Sequence, residues 1–133
     1  MKNEKGYSLL EVLGSLVILT IVLISFFQIF VNSNKIAATN NEKLVVIYLA
    51  DAELERVKFN PFERLPKVTP ASLSLYKESK THIISLNDKE YKVKLDASQT
   101  TKEKELKMLN VLVTVTSENN KTNSSVEGYV IYE

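Results

Sequence analysis

Few side chains in this 133-residue chain have the type and spacing to do chemistry. Glu11 comes first: it stands immediately ahead of a run, Val12 to Asn34, in which no residue is charged until Lys35. A carboxylate at the centre of hydrocarbon costs roughly 2.5 to 3.5 kcal/mol on insertion scales, so one at the mouth of such a run calls for a partner. Two plainer readings stand beside this one: Glu11 marks the membrane interface, or it favours the positive N-terminal end of a helix. Asp51, Glu53 and Glu55 form a run of acids, but helical geometry spreads them around the axis instead of pairing them for acid and base work. His82 is the single histidine and there is no cysteine, which leaves no zinc set and gives His82 a structural or surface role. The glycines are Gly6, Gly14 and Gly128, so no Gly-x-Gly-x-x-Gly or phosphate loop exists. Asn120-Lys121-Thr122 and Asn123-Ser124-Ser125 fit glycosylation sequons and read as a polar turn. No catalytic residue, cofactor or metal site is expected.

The elements around Glu11 follow from patterning. The apolar run is long enough to cross the roughly 30 Å hydrocarbon core as a helix. A cleavable secretory signal would have an apolar region of about 7 to 15 residues ending in small residues, and Gln28 to Asn34 offers no such site. Lys2 and Lys5 precede the run and place the N-terminus in the cytoplasm, with Lys35 and Lys43 weakening the asymmetry. From Tyr7 to Phe59 there is no proline and only Gly14 as a weak point, so one helix can run the whole way. Its second half has two apolar arcs at 100° per residue: Val46, Ile47, Ala50, Leu54 and Val57, then Val45, Tyr48, Leu49, Ala52 and Phe59. Asp51, Glu55 and Lys58 divide them on one side, Glu42 and Glu53 on the other. Two arcs suggest a helix covered twice, once by its own sheet and once by something else; the alternative is a helix sunk deep in a single core, against which the charged dividers on both sides argue.

Asn60-Pro61 ends the helix, and Pro61, Pro66 and Pro70 mark an irregular connector whose Phe62, Leu65, Leu73 and Leu75 fold back on the core. The period then becomes two. His82 to Leu86, a turn at Asn87-Asp88-Lys89, and Glu90 to Asp96 read as a hairpin. After a charged connector from Thr100 to Lys107, Leu109, Val111, Val113 and Val115 face one way; a polar turn from Glu118 to Ser125 leads to a last strand, Val126 to Tyr132. The fold expected is α+β, a long N-terminal helix packed on a small antiparallel sheet of about four strands.

Composition narrows the class. A net charge of +1 without a basic stripe argues against nucleic-acid binding. The length allows one domain plus an anchor, and a domain without cysteine must hold by packing alone. Lys in excess of Arg, with plentiful Asn and Ile, hints at an AT-rich, Gram-positive host.

The leader Met1 to Gly6, then Tyr7-Ser8-Leu9-Leu10-Glu11 and the apolar helix, resembles the class III signal of type IV pilins and of the pseudopilins of type II secretion and competence systems. Tyr7 stands where Phe is commoner, and the proline that most of these proteins carry further along the span is absent. The resemblance implies cleavage between Gly6 and Tyr7 by a prepilin peptidase, N-methylation of Tyr7, and an assembly role for Glu11, whose carboxylate would pair with the first-residue amine of a neighbouring subunit. Ala50-Asp51-Ala52-Glu53-Leu54-Glu55-Arg56 is similar to the Leu-Ala-x-x-x-Leu-Glu pattern at the helix end of V-type minor pilins and I-type minor pseudopilins. A minor pilin or pseudopilin is therefore expected, serving assembly, initiation or capping of a type IV pilus, competence pilus or secretion pseudopilus.

That reading divides the chain into a leader (1–6), a transmembrane and filament-core helix (7–34), its amphipathic continuation (35–59), a connector (60–80) and a sheet domain (81–133). Its partners would be the peptidase, a major pilin, other minor pilins, the inner-membrane assembly platform and, before assembly, membrane lipid; no nucleic acid is expected. The subunit would start as a single-pass protein of the cytoplasmic membrane and end at the cell surface in a filament. Two alternatives are a fixed single-pass anchor carrying an extracytoplasmic binding domain, and a pilus-tip adhesin or DNA receptor.

Overall fold

The computed structural model describes residues 6–68 and 74–133. The leader residues Met1 to Lys5, with Lys2 and Lys5, and Pro70 and Leu73 of the expected connector lie outside the described residues.

One helix, α1 (Leu9–Phe59, 51 residues), passes through Gly14 and through the polar stretches Asn32-Ser33-Asn34 and Asn40-Asn41. The chain divides into two compact units, one up to Ala38 and one from Thr39. In the first, α1 is apolar all round and its side chains are exposed, from Leu9 through Phe30 and Val31. A helix apolar on every face belongs in hydrocarbon or in the middle of a bundle. Its most apolar 18-residue window has a mean hydropathy of 2.5 and is 0% buried, so by length and composition this helix can cross a membrane. The hydroxyls within it bond back to the helix: Ser15 donates to the Val12 carbonyl (2.8 Å), Thr20 to Leu16 (2.8 Å) and Ser25 to Ile21 (2.9 Å). In lipid no water would satisfy them, so these internal bonds remove the cost of carrying them there.

In the second unit, the remainder of α1 lies on an antiparallel meander of four strands in the order β1-β2-β3-β4. These are β1 (Lys77–Leu86), β2 (Lys89–Ser98), β3 (Met108–Ser117) and β4 (Asn123–Ile131). Period-two alternation sends Tyr91, Val93, Leu95 and Ala97 of β2, Leu109, Val111, Val113 and Val115 of β3, and Val130 of β4 to one buried face. Val46, Ala50, Leu54 and Val57 of α1 complete that core. The expected α+β fold, a long helix on a four-strand antiparallel sheet, is what the chain adopts.

Details differ from expectation for local reasons. β1 starts at Lys77, five residues ahead of His82, because the whole of Lys77 to Leu86 pairs with β2, although only its His82 and Ile84 side chains are half-buried. The β1–β2 connection is a two-residue turn with Asn87 and Asp88 at φ 52° and 58°, the left-handed pair that hairpins favour. Within the expected charged connector lies a short helix, α3 (Thr101–Glu105). Thr100 and Glu103 form its capping box, each side chain accepting from the other's backbone amide. β4 begins at Asn123, which shortens the expected turn.

Pro61 does end α1, at the first position of a four-residue helix, α2 (Pro61–Arg64). Leu65 is buried and Phe62 meets Tyr132 edge to face, so the connector folds back as expected at both places, whereas Leu75, expected to do the same, is exposed. Tyr76 ties the far side of the connector down by donating its hydroxyl to the Pro66 carbonyl (2.8 Å). Burial, and after it the charge of Glu78, pushes that phenol up to about 12.

The two arcs of α1 part company. In the first, Val46, Ala50, Leu54 and Val57 are buried on the sheet and Ile47 is half-buried. In the second, Val45 and Leu49 are half-buried, while Ala52 is exposed, Tyr48 is 68% exposed and Phe59 is 87% exposed. Glu53, expected as a charged divider, is 3% exposed: α2 and β1 close over it and bring Arg64 and His82 to it.

Candidate processing and assembly site

Gly6, Tyr7 and Glu11 sit together at the start of α1, all exposed, with Tyr7 at 85%. Among the described residues, nothing lies within 4 Å of where a Cβ on Gly6 would be.

The helix start is built from Ser8 and Glu11. Ser8 N–H donates to Glu11 Oε2 (3.3 Å) while Glu11 N–H donates to Ser8 Oγ (3.2 Å). This reciprocal pair is a capping box, with Glu11 N–H and Val12 N–H also reaching the Ser8 carbonyl (3.0 and 3.2 Å). Two of the amides that every helix start leaves without an internal partner are thereby satisfied. The carboxylate lies at the positive end of the helix dipole, which lowers the cost of carrying its charge close to hydrocarbon. Tyr7, Glu11, Val12 and Ser15 line a shallow concavity beside the carboxylate. One carboxylate oxygen, Oε2, carries the cap, so Oε1 stands outside it and can face a second donor.

A family model described as the prokaryotic N-terminal methylation motif matches residues 1–27, the leader together with the first part of α1. The chain carries that motif, the class III signal of pilins and pseudopilins. Its match covers Gly6, Tyr7, Ser8 and Glu11, the residues that the capped helix start brings together. No curated protein and no solved structure matches the chain.

The sequence singles out Gly6, Tyr7 and Glu11 as expected site residues; the cap that Ser8 supplies was passed over, although Ser-x-x-Glu ahead of an apolar run is a readable capping signal. A second cluster, on other elements, was passed over as well. Glu53 of α1 accepts from Arg56 Nη1 at Oε1 (3.1 Å), and its Oε2 lies 3.6 Å from Arg64 Nη1 of α2 and 3.4 Å from His82 Nε2 of β1. Arg64 Nη1 and His82 Nε2 are themselves in direct hydrogen-bonding contact. The Glu53–Arg56 spacing was legible as a helical i, i+3 pair; the approach of Arg64 and His82 is a product of tertiary folding and has no local signal. Among the described residues no group of three or more acids and histidines could hold a metal ion.

Proposed function

We propose that this chain is a minor pilin or pseudopilin, cut between Gly6 and Tyr7, N-methylated on Tyr7, and drawn from the cytoplasmic membrane into a filament. The methylation motif over residues 1–27 carries this reading, since it joins a leader ending in Gly6 to a membrane-length helix that begins with Glu11 a few residues on. In the membrane, Glu11 is held by the Ser8 amide and the helix end. In the filament, its carboxylate takes the methylated amine of a neighbour's Tyr7, so that neither charge is alone in an apolar core. The Ala-Leu-Glu pattern of Ala50 to Arg56 at the helix end and the small cysteine-free sheet domain favour a minor subunit. Prepilin peptidase, a major pilin, other minor pilins and the membrane assembly platform are its partners, and it works by assembly, initiation or capping.

Processing and assembly separate experimentally. Glu11→Ala should be cleaved normally, because the cut lies on the other side of Tyr7, yet fall at least about tenfold in the sheared surface fraction, in keeping with the cost of leaving a neighbour's amine unpaired in an apolar setting. Wild-type recovery of Glu11→Ala in that fraction would remove the pairing role.

A further inference from the structure

The Glu53 cluster lies outside residues 1–27, which the methylation motif covers, and its geometry contains a choice. Three elements converge on one buried carboxylate: α1 brings Glu53 and Arg56, α2 brings Arg64, and β1 brings His82. Arg56 satisfies Oε1, whereas Oε2, also buried, accepts no hydrogen bond. His82 Nε2 stands 3.4 Å from that oxygen and is in contact with Arg64 Nη1. A guanidinium only donates, so while Arg64 holds the ring, Nε2 must be its acceptor and His82 must be neutral, with its proton on Nδ1. Once Nε2 is protonated it can no longer accept from Arg64, and the oxygen without a donor is within reach.

We propose that Glu53, Arg64 and His82 form an acid-sensitive latch: neutral His82 holds Arg64, and with it α2, against the sheet, while protonated His82 turns to Glu53 Oε2 and releases Arg64. The surroundings of the ring are consistent with this. Across the ladder from His82 is Val93, flanked on the buried face of β2 by Tyr91 and Leu95, so β2 supplies no charge there. On β1 itself, Lys80 and Ile84 are its neighbours on the same side of the strand. Burial, then the Arg64 guanidinium, holds His82 below its usual value of 6.5; Glu53 opposes them, and Arg56 adds to them. A histidine that binds its proton less tightly in the closed state than in the open one weakens the closed state as pH falls. The weakening starts near about 6.5, grows as pH drops through the closed-state value and levels off below it.

The experiment uses the full chain in detergent micelles. Hydrogen exchange of the segment 60–68, corrected for intrinsic chemistry, is followed between about pH 5 and 7.5, and the His82 ring is titrated by NMR over the same range. Protection of 60–68 should fall by about tenfold for each pH unit by which the His82 midpoint lies below about 6.5, while β2 and β3 keep theirs. Arg64→Gln should raise the midpoint towards the usual value, and Glu53→Gln should lower it further. His82→Gln, a neutral acceptor, should leave 60–68 protected and insensitive to pH. Protection of 60–68 that stays constant while His82 titrates would overturn the latch, as would a midpoint that Arg64→Gln leaves in place. Both readings stand even if His82→Gln does not fold.

Discussion

At Gly128 the sheet comes close to the helix. This glycine lies on β4 opposite Val111, and a Cβ built on it would stand 2.9 Å from Leu54 Cδ2 and 3.2 Å from Cδ1. Leu54 is buried and cannot swing aside without disturbing Val57 or Ala50 on the same arc. Gly128→Ala should therefore cost about 1 to 3 kcal/mol by overpacking. Leu54→Ala should cost about 2 to 5 kcal/mol by leaving a cavity. Because the added methyl would partly fill that cavity, the double variant should be more stable than the sum of the two losses implies, and denaturant unfolding of the full chain in detergent checks this. Strict additivity would mean that the two residues do not press on one another.

At the scale of elements, what was legible followed period and punctuation. The alternation of Tyr91, Val93 and Leu95, then of Leu109 to Val115, announced β2 and β3, since both strands are buried on one face only. β1 was under-read because its Lys77, Glu78 and Lys80 are polar on both faces; ladder bonds to β2, and not burial, hold that end of the strand. The five residues of α3 are too few for a hydrophobic period, and only Thr100 and Glu103 could have announced them. Glu53 was misplaced for a reason no window of sequence contains: its cover comes from Arg64 and His82, 11 and 29 positions further on.

The exposed arc of α1 was legible as a surplus of apolar residues, and Tyr48 and Phe59 do stay uncovered by the chain's own sheet. In the proposed filament another subunit covers them. Phe59→Glu, placed away from the buried arc, should move the stability of the sheet domain by no more than about 0.5 kcal/mol. The same substitution should lower recovery in the sheared surface fraction, read by immunoblot against the membrane pool. Unaltered recovery would separate this arc from assembly.

For the whole molecule, one continuous helix serves two settings. From Val12 to Val31 it is uncharged and mostly apolar, with the hydroxyls of Ser15, Thr20 and Ser25 turned back on its own carbonyls; from Thr39 it is one-sided and packed on a sheet. The methylation motif lies wholly ahead of Thr39, and the proposed role needs both settings: an end that can be cut and drawn from lipid, and a domain that stays folded outside it. The most direct test is the mass of the N-terminal peptide of the protein recovered from its native membrane or sheared surface fraction. The account predicts a peptide that begins at Tyr7 and carries one added N-methyl group. A chain still beginning at Met1, in cells whose peptidase processes its other substrates, would contradict it and make α1 a fixed anchor.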